Sequence, residues 1–347
     1  MAESPRTPVP VALIGLGKMG RFHYKTIRGD PRFELLAVVD PQVAELPEGD
    51  AGPELLSNVS GLRQRFPQLA AAVVAAPTSL HYDLTRQLLE QDIAVLVEKP
   101  AATNGAAARE LVDLAERRGV PLAAGHVERC NPAVSALQTV LGCGILGRPV
   151  HVHAMRGGPW PPGASHNHVI LDLAVHELDV LALLLGPLEL EHGALHTLAD
   201  TPDRPHTAEI QVKSPAGVTA SVHANWLTPQ KTRQMRVTGT GGVGIIDYAA
   251  QTCHLWGKDL REKESLLRLP FRRGEEAGPA HSLEVEITPR HSLEIQLEHF
   301  LHLLDGRPHR LCSGDAMVQA VSLVDEIMGL TTAPVRADAS RPLEPQI

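Results

Sequence analysis

Apolar and polar positions change rhythm along this chain. From residue 9 to about 126, short apolar runs alternate with longer amphipathic stretches. "VPVALI", "FELLAVV", "LAAAVVAAP", "IAVLVEKP" and "VPLAAGHVE" read as strands, several apolar at nearly every position, as strands covered on both faces are. Between them "RFHYKTIRGD", "LHYDLTRQLLEQD" and "TNGAAARELVDLAERRG" read as helices, the last with Thr103 as its cap. This alternation predicts a parallel sheet with helices on both sides.

Beyond residue 126 the texture differs. "NPAVSALQTVL" reads as a helix and "PVHVHAMRG" as a strand, and "ILDLAVHELDVLALLLG" (170–186) is a helix apolar almost all round. "TAEIQVKS", "VTASVHANW", "QMRVTGTGGVGIIDY", "QTCHLWG" and "LEVEIT" are strand-like, with turn signals such as "SPAG" and "TGGVG" between many of them. These predict a large, mostly antiparallel sheet with one open face, whose exposed apolar side would serve as a subunit interface. "HSLEIQLEHFLHLLDG" and "SGDAMVQAVSLVDEIMGL" read as two closing helices, and the tail "APVRADASRPLEPQI" as loosely ordered. The expected architecture is an α/β Rossmann domain over 1–125 and an α+β substrate and oligomerisation domain over 126–347.

Composition narrows the class. The 347 residues are 43% hydrophobic and 21% charged, which suits a globular chain long enough for two domains. A net charge of −8 argues against a nucleic-acid partner. The mixed charges of "LREKESLLRLPFRRGEE" read as a solvated loop or edge strand. Cys130, Cys143, Cys253 and Cys312 have no CxxC spacing and read as reduced intracellular thiols. No signal-type or membrane-spanning apolar run is evident, so a cytoplasmic protein with no membrane partner is expected. Eighteen histidines invite a metal, and His166, His168, Asp172 and His176 could converge. Their spacing matches no known ligand framework, so no metal is expected.

The candidate chemistry begins at Gly15-x-Gly17-x-x-Gly20, which follows a strand and opens a helix, with Asp40 closing the second strand. This is the dinucleotide-binding fingerprint. Gly15 makes the tight turn, and Gly17 lets the backbone approach a pyrophosphate. Gly20 lets the helix, with Lys18 and Met19 in its first turn, pack on the strand. Asp40 would accept from ribose hydroxyls and repel a 2′-phosphate, so NAD is the expected cofactor rather than NADP. Ala76, Pro77 and His81 follow one further strand, and Glu98 and Lys99 end another, at the sheet edge where dinucleotides bind.

Helix 170–186 supplies the second half. At about 100° per residue, Asp172, His176 and Asp179 share one narrow arc. A polar stripe on so apolar a helix suggests a cleft. Oxidising an alcohol needs a base for the hydroxyl proton and a positive group for the developing alkoxide. His176, with an ordinary pKa of about 6.5, suits the first role. Lys99 suits the second, and Asp172 would orient His176 or bind a sugar hydroxyl.

The order of these motifs, with Glu98-Lys99-Pro100 between them, resembles the glucose-fructose oxidoreductase/inositol dehydrogenase family along essentially the whole chain. The resemblance implies that Glu98 contacts the nicotinamide ribose and that Pro100 fixes the Lys99 backbone through a cis peptide. "GHVERCNPAV" (125–134) resembles the GHxERxNP signature of the family's UDP-N-acetylglucosamine 3-dehydrogenases, and "GPWPP" and "NWLTPQKTRQMRVTGTGGVGIIDY" resemble their counterparts there. That branch implies oxidation of the 3-hydroxyl of a nucleotide-bound amino sugar, a sugar aminotransferase as functional partner, and a role in lipid A biosynthesis. It makes Arg129, Asn131 and Arg156 candidates for the sugar or its diphosphate; Arg129 and Asn131 serve equally as a structural tie. Cys130, where a phenylalanine is expected, and "GASHNHV" depart from that pattern. Alternatives are a dehydrogenase of a polyol or free sugar and a non-catalytic dinucleotide sensor. A homodimer or homotetramer is expected.

Overall fold

Val11, Ala12, Leu13 and Ile14 are almost wholly buried because their strand is central, with neighbours on both edges and helices on both faces. The computed structural model describes residues 7–47, 52–160, 168–198, 201–274, 280–330 and 332–334. In chain order the first elements are β1 (Val9–Ile14), α1 (Lys18–Gly29), β2 (Phe33–Val39), β3 (Glu54–Leu56), α2 (Leu62–Arg65), β4 (Ala71–Val74), α3 (His81–Leu89), β5 (Ala94–Glu98), α4 (Gly105–Arg118) and β6 (Leu122–Gly125). Their strands form a six-stranded parallel sheet in the order β3-β2-β1-β4-β5-β6. This is the doubly wound order, with its reversal between β1 and β4. The cap of α4 is Asn104, whose side chain accepts from the Ala107 N–H at 2.9 Å, rather than the expected Thr103.

The chain continues through α5 (Pro132–Gly142), β7 (Pro149–Pro159), a π-helical turn at Ile170–Ala174, α6 (Val175–Leu185), β8 (Glu189–Leu198), β9 (Thr201–Lys213), β10 (Thr219–Asn225), β11 (Leu227–Gly239), β12 (Val243–Asp247), β13 (Thr252–Gly257), α7 (Leu260–Lys263), β14 (Phe271–Arg273) and β15 (His281–Val285). α8 (Ser292–Leu304), α9 (Gly314–Met328) and β16 (Thr332–Pro334) complete it. Strands β7 to β16 form a ten-stranded sheet, antiparallel except at β7–β10 and β8–β16. β14 is an edge strand, so the mixed-charge stretch around it is solvated on its free side.

Two compact units result: residues 1–131 with 290–322, and residues 132–289 with 323–347. This differs from one boundary at 125/126, because α8 returns to the first unit. Leu297, Phe300 and Leu301 of α8 share a core with Val11, Leu13, Leu35, Val38 and Leu96 on one face of the parallel sheet. On the other face α3 and α4 pack with Met317 and Val321 of α9.

In the second unit, one sheet face packs on α5 and α6 through residues such as Val152, Ala154, Ile210, Val222 and Val237. The opposite face presents His151, His153, Thr219, Ser221, His223, Gln234 and Arg236. The expected apolar open side is therefore corrected to a largely polar one, as an antiparallel sheet with one solvated face requires. Among the described residues, no helix is long and apolar enough to cross a membrane.

Candidate active site

The glycine loop explains itself residue by residue. Gly15 has φ +93°, and a Cβ there would lie 2.7 Å from the Ala76 nitrogen. A Cβ on Gly20 would lie 2.1 Å from the Gly15 oxygen, so Gly20 lets α1 start against β1. Gly17, at the N-cap of α1, is different: its φ is −67° and a Cβ would meet no protein atom within 4 Å. Neither backbone strain nor packing demands glycine there. The open space is what a phosphate brought up to the helix N-terminus needs.

That loop lines a cavity of about 770 Å³ in the first unit, at the β1/β4 reversal. Gly15, Gly17, Lys18, Met19, Asp40, Ala76 and Pro77 line it, together with Gln42, Ser57 and Asn58, which sequence reasoning missed. The Asp40 carboxylate accepts from the Leu16 N–H at 2.7 Å and the Gln42 N–H at 2.9 Å, which fixes it at the end of β2. The residues thus fit a dinucleotide: a backbone approach for its diphosphate and a held carboxylate for its ribose.

His81 does not line the cavity. It is buried, its ring nitrogens 2.7 Å from the Pro100 oxygen and 2.8 Å from the Ala76 oxygen. It ties the loop after β4 to the loop after β5 and so positions Ala76 and Pro77. The Lys99–Pro100 peptide is cis. Lys99 is half-buried at the end of β5. Glu98 is buried, and His23 of α1, missed in the sequence, lies with Nε2 2.8 Å from its Oε1. Burial pushes the Glu98 carboxyl up, but the His23 hydrogen bond, with the charges of His23 and Lys99, outweighs it and holds the group below the usual carboxylate range. Its other oxygen accepts, weakly, from the Lys99 N–H at 3.4 Å.

The "VERC" segment forms a 3-10 turn, Val127–Cys130, after β6. Arg129 and Asn131 are both buried, and the Asn131 amide donates to Glu128 Oε2 at 3.0 Å, which favours a structural tie for Asn131.

In the second unit the regular-helix reading of 170–186 is corrected. Ile170–Ala174 winds as a π-turn, in which the Val175 N–H reaches back to the Ile170 carbonyl. The π-turn interrupts the regular helix just before His176, and such turns recur at functional sites. Asp172 and His176 are half-buried, whereas Asp179 is fully buried. Trp226 Nε1 donates to Asp172 Oδ2 at 3.2 Å, a contact made from 54 residues away and invisible in the sequence. His168 accepts from the Ile170 N–H at 3.3 Å, and burial pushes its pKa down to about 4, so it caps the turn as a neutral ring. His166 lies outside the described residues.

Arg156 is also relocated. It is 1% exposed, and its Nε donates to Glu177 Oε1 at 2.5 Å. Glu177 is wholly buried and accepts from the Tyr248 hydroxyl at 2.7 Å, and the guanidinium lies over the Tyr248 ring at 5.3 Å. The expected diphosphate contact is therefore corrected: this guanidinium neutralises a buried carboxylate and pins α6 to β7.

Comparison with known proteins agrees with this layout. Residues 9–126 match the GFO/IDH/MocA oxidoreductase model with an NAD-binding Rossmann fold, and residues 134–244 match the GFO/IDH/MocA C-terminal domain. The chain is 25% identical to the UDP-N-acetylglucosamine 3-dehydrogenase of Acidithiobacillus ferrooxidans, over 88% of this chain and 91% of that one. It is 29% identical to inositol 2-dehydrogenase 4 of Saccharopolyspora erythraea, over 71% and 76%. A solved structure of the Acidithiobacillus enzyme superposes with a TM-score of 0.78 at 24% identity, covering 92% of this chain and 96% of that one. KijD10, a 3-ketoreductase from Actinomadura kijaniata in complex with NADP and TDP-benzene, gives 0.77 at 19% identity, covering 95% and 100%. With a glycine cradle, an expected lysine at the end of β5 and both family models in register, this chain belongs to the GFO/IDH/MocA oxidoreductase family and carries its NAD-binding Rossmann domain.

Proposed function

We propose that the protein oxidises the 3-hydroxyl of a UDP-linked amino sugar, UDP-N-acetylglucosamine, with NAD as acceptor. The observation that carries this reading is the breadth of the match to the UDP-N-acetylglucosamine 3-dehydrogenase, 88% of this chain, against 51–71% for five related inositol dehydrogenases. The cofactor's chemistry when bound is to accept the hydride from the carbinol carbon. Gly15, Gly17 and Gly20 bring the backbone to its diphosphate. Asp40 accepts from the ribose and disfavours a 2′-phosphate. Lys99 supplies positive charge to the substrate oxygen, and His176 takes the hydroxyl proton. Asp172, held by Trp226, orients His176 or accepts from a neighbouring hydroxyl. Glu98, kept ionised by His23, accepts from the nicotinamide ribose. Arg129 is the remaining candidate for the diphosphate, since Arg156 is engaged by Glu177. The keto product would pass to a sugar aminotransferase, and assembly into a homodimer or homotetramer would use the open polar sheet face.

The inositol dehydrogenases at 28–31% identity support a second reading, oxidation of a free polyol. A nicotinamide-reduction assay with UDP-N-acetylglucosamine, inositol and free sugars in parallel separates the two. Glutamate and an aminotransferase draw off the ketone. Reduction with the nucleotide sugar alone is expected. Reduction only with inositol keeps the catalytic residues and discards this substrate.

A further inference from the structure

Trp160 is built as a platform. It follows β7 and is 36% exposed. Two buried rings hold it. His206 lies against it with centroids 4.6 Å apart and planes inclined by 32°, and Trp226 meets it at 4.9 Å and 68°.

Those supports are themselves fixed. The Trp226 backbone N–H donates to the His206 carbonyl at 3.0 Å, and His206 Nδ1 accepts from the Leu198 N–H at 3.3 Å. Trp226 Nε1 in turn donates to Asp172 at 3.2 Å. An aromatic surface is therefore held rigid one indole away from the carboxylate at the candidate reacting centre.

We propose that Trp160 carries the reacting sugar, its ring packing against the C–H face of the pyranose while Asp172 serves a hydroxyl at the rim. This inference rests on the proposed sugar-oxidising function. A pyranose offers an apolar C–H face bordered by hydroxyls. An aromatic face beside a carboxylate matches that pattern, and its two supports mean little ordering is left to occur on binding. A pyrimidine base would also stack on an indole. The closeness of the ring to Asp172 favours the sugar, because the base lies a diphosphate and a ribose away from the reacting carbon.

The test is calorimetric titration of the protein saturated with NADH, which cannot accept a hydride and so prevents turnover. Wild type, Trp160→Phe and Trp160→Leu are titrated with UDP-N-acetylglucosamine, UDP, free N-acetylglucosamine and inositol, after thermal melting confirms folding. Leucine keeps apolarity and part of the bulk but removes the ring. We expect Trp160→Leu to weaken the nucleotide sugar about tenfold, with Trp160→Phe within about threefold of wild type and UDP alone unchanged. Unchanged affinity in Trp160→Leu overturns the proposal, and so does an equal loss for UDP, which would assign the ring to the base. If wild type binds inositol or a free sugar but no nucleotide sugar, the proposed substrate fails, and Trp160 stands or falls on the same comparison with that ligand. Wild type that binds none of the four overturns both.

Discussion

Adding one methyl group at Gly17 and another at Gly20 separates a glycine kept for a ligand from one kept for the fold. At Gly17 the new Cβ meets nothing in the protein and φ is −67°, open to any residue. Alanine there gains up to about 1 kcal/mol from a stiffer unfolded chain. It loses up to about 1 kcal/mol because glycine is the better N-cap. Stability should therefore stay within about 1 kcal/mol of wild type. The methyl occupies the approach to the helix N-terminus, and overpacking of that size costs about 1–3 kcal/mol, or about 5- to 150-fold in NAD affinity. Gly20→Ala instead places Cβ 2.1 Å from the Gly15 oxygen, so loop and helix must part. It should lower the melting temperature as well as NAD affinity. Thermal melting and NAD titration of both variants make the test. A Gly17→Ala protein that binds NAD like wild type would refute the reasoning, because the diphosphate would then not approach that backbone.

Lys99→Met should abolish turnover and leave NAD binding near normal in a titration; retained activity would remove the charge-stabilising role of Lys99. His176→Asn should cost about two to four decades in kcat if the imidazole is the base, and a loss below tenfold in steady-state assays would reassign that role. Asp40→Ala should weaken NAD and narrow its advantage over NADP in a coenzyme competition; an unchanged preference would mean that Ser57, Asn58 or Gln42 reads the ribose. Glu177→Ala leaves Arg156 as a charge buried without its carboxylate, so urea denaturation should show about 3–5 kcal/mol of lost stability, and a loss under about 1 kcal/mol would contradict the pair's assigned part in holding α6.

The parallel sheet, the glycine turn, Asp40 and the lysine at the end of β5 were all legible in the sequence. All of these are local. A strand, a turn and a helix fall within consecutive residues, and the glycine spacing encodes the geometry directly, as the short distances around Gly15 and Gly20 bear out. It also gave the existence of most helices and strands, since burial of one face imposes its period on the side chains. What it did not carry is which surface each face meets. The amphipathic pattern of α8 says that Leu297, Phe300 and Leu301 are covered, but that they cover the first sheet emerges only from the folded chain. The same holds for partners of polar groups. His23 meets Glu98 from 75 residues away, Trp226 meets Asp172 from 54, and Arg156 meets Glu177 across 21. A charged residue on paper shows neither its burial nor its counterion. Arg156 therefore read as a diphosphate fork, until the fold buried it at 1% exposure against a carboxylate that had to be neutralised.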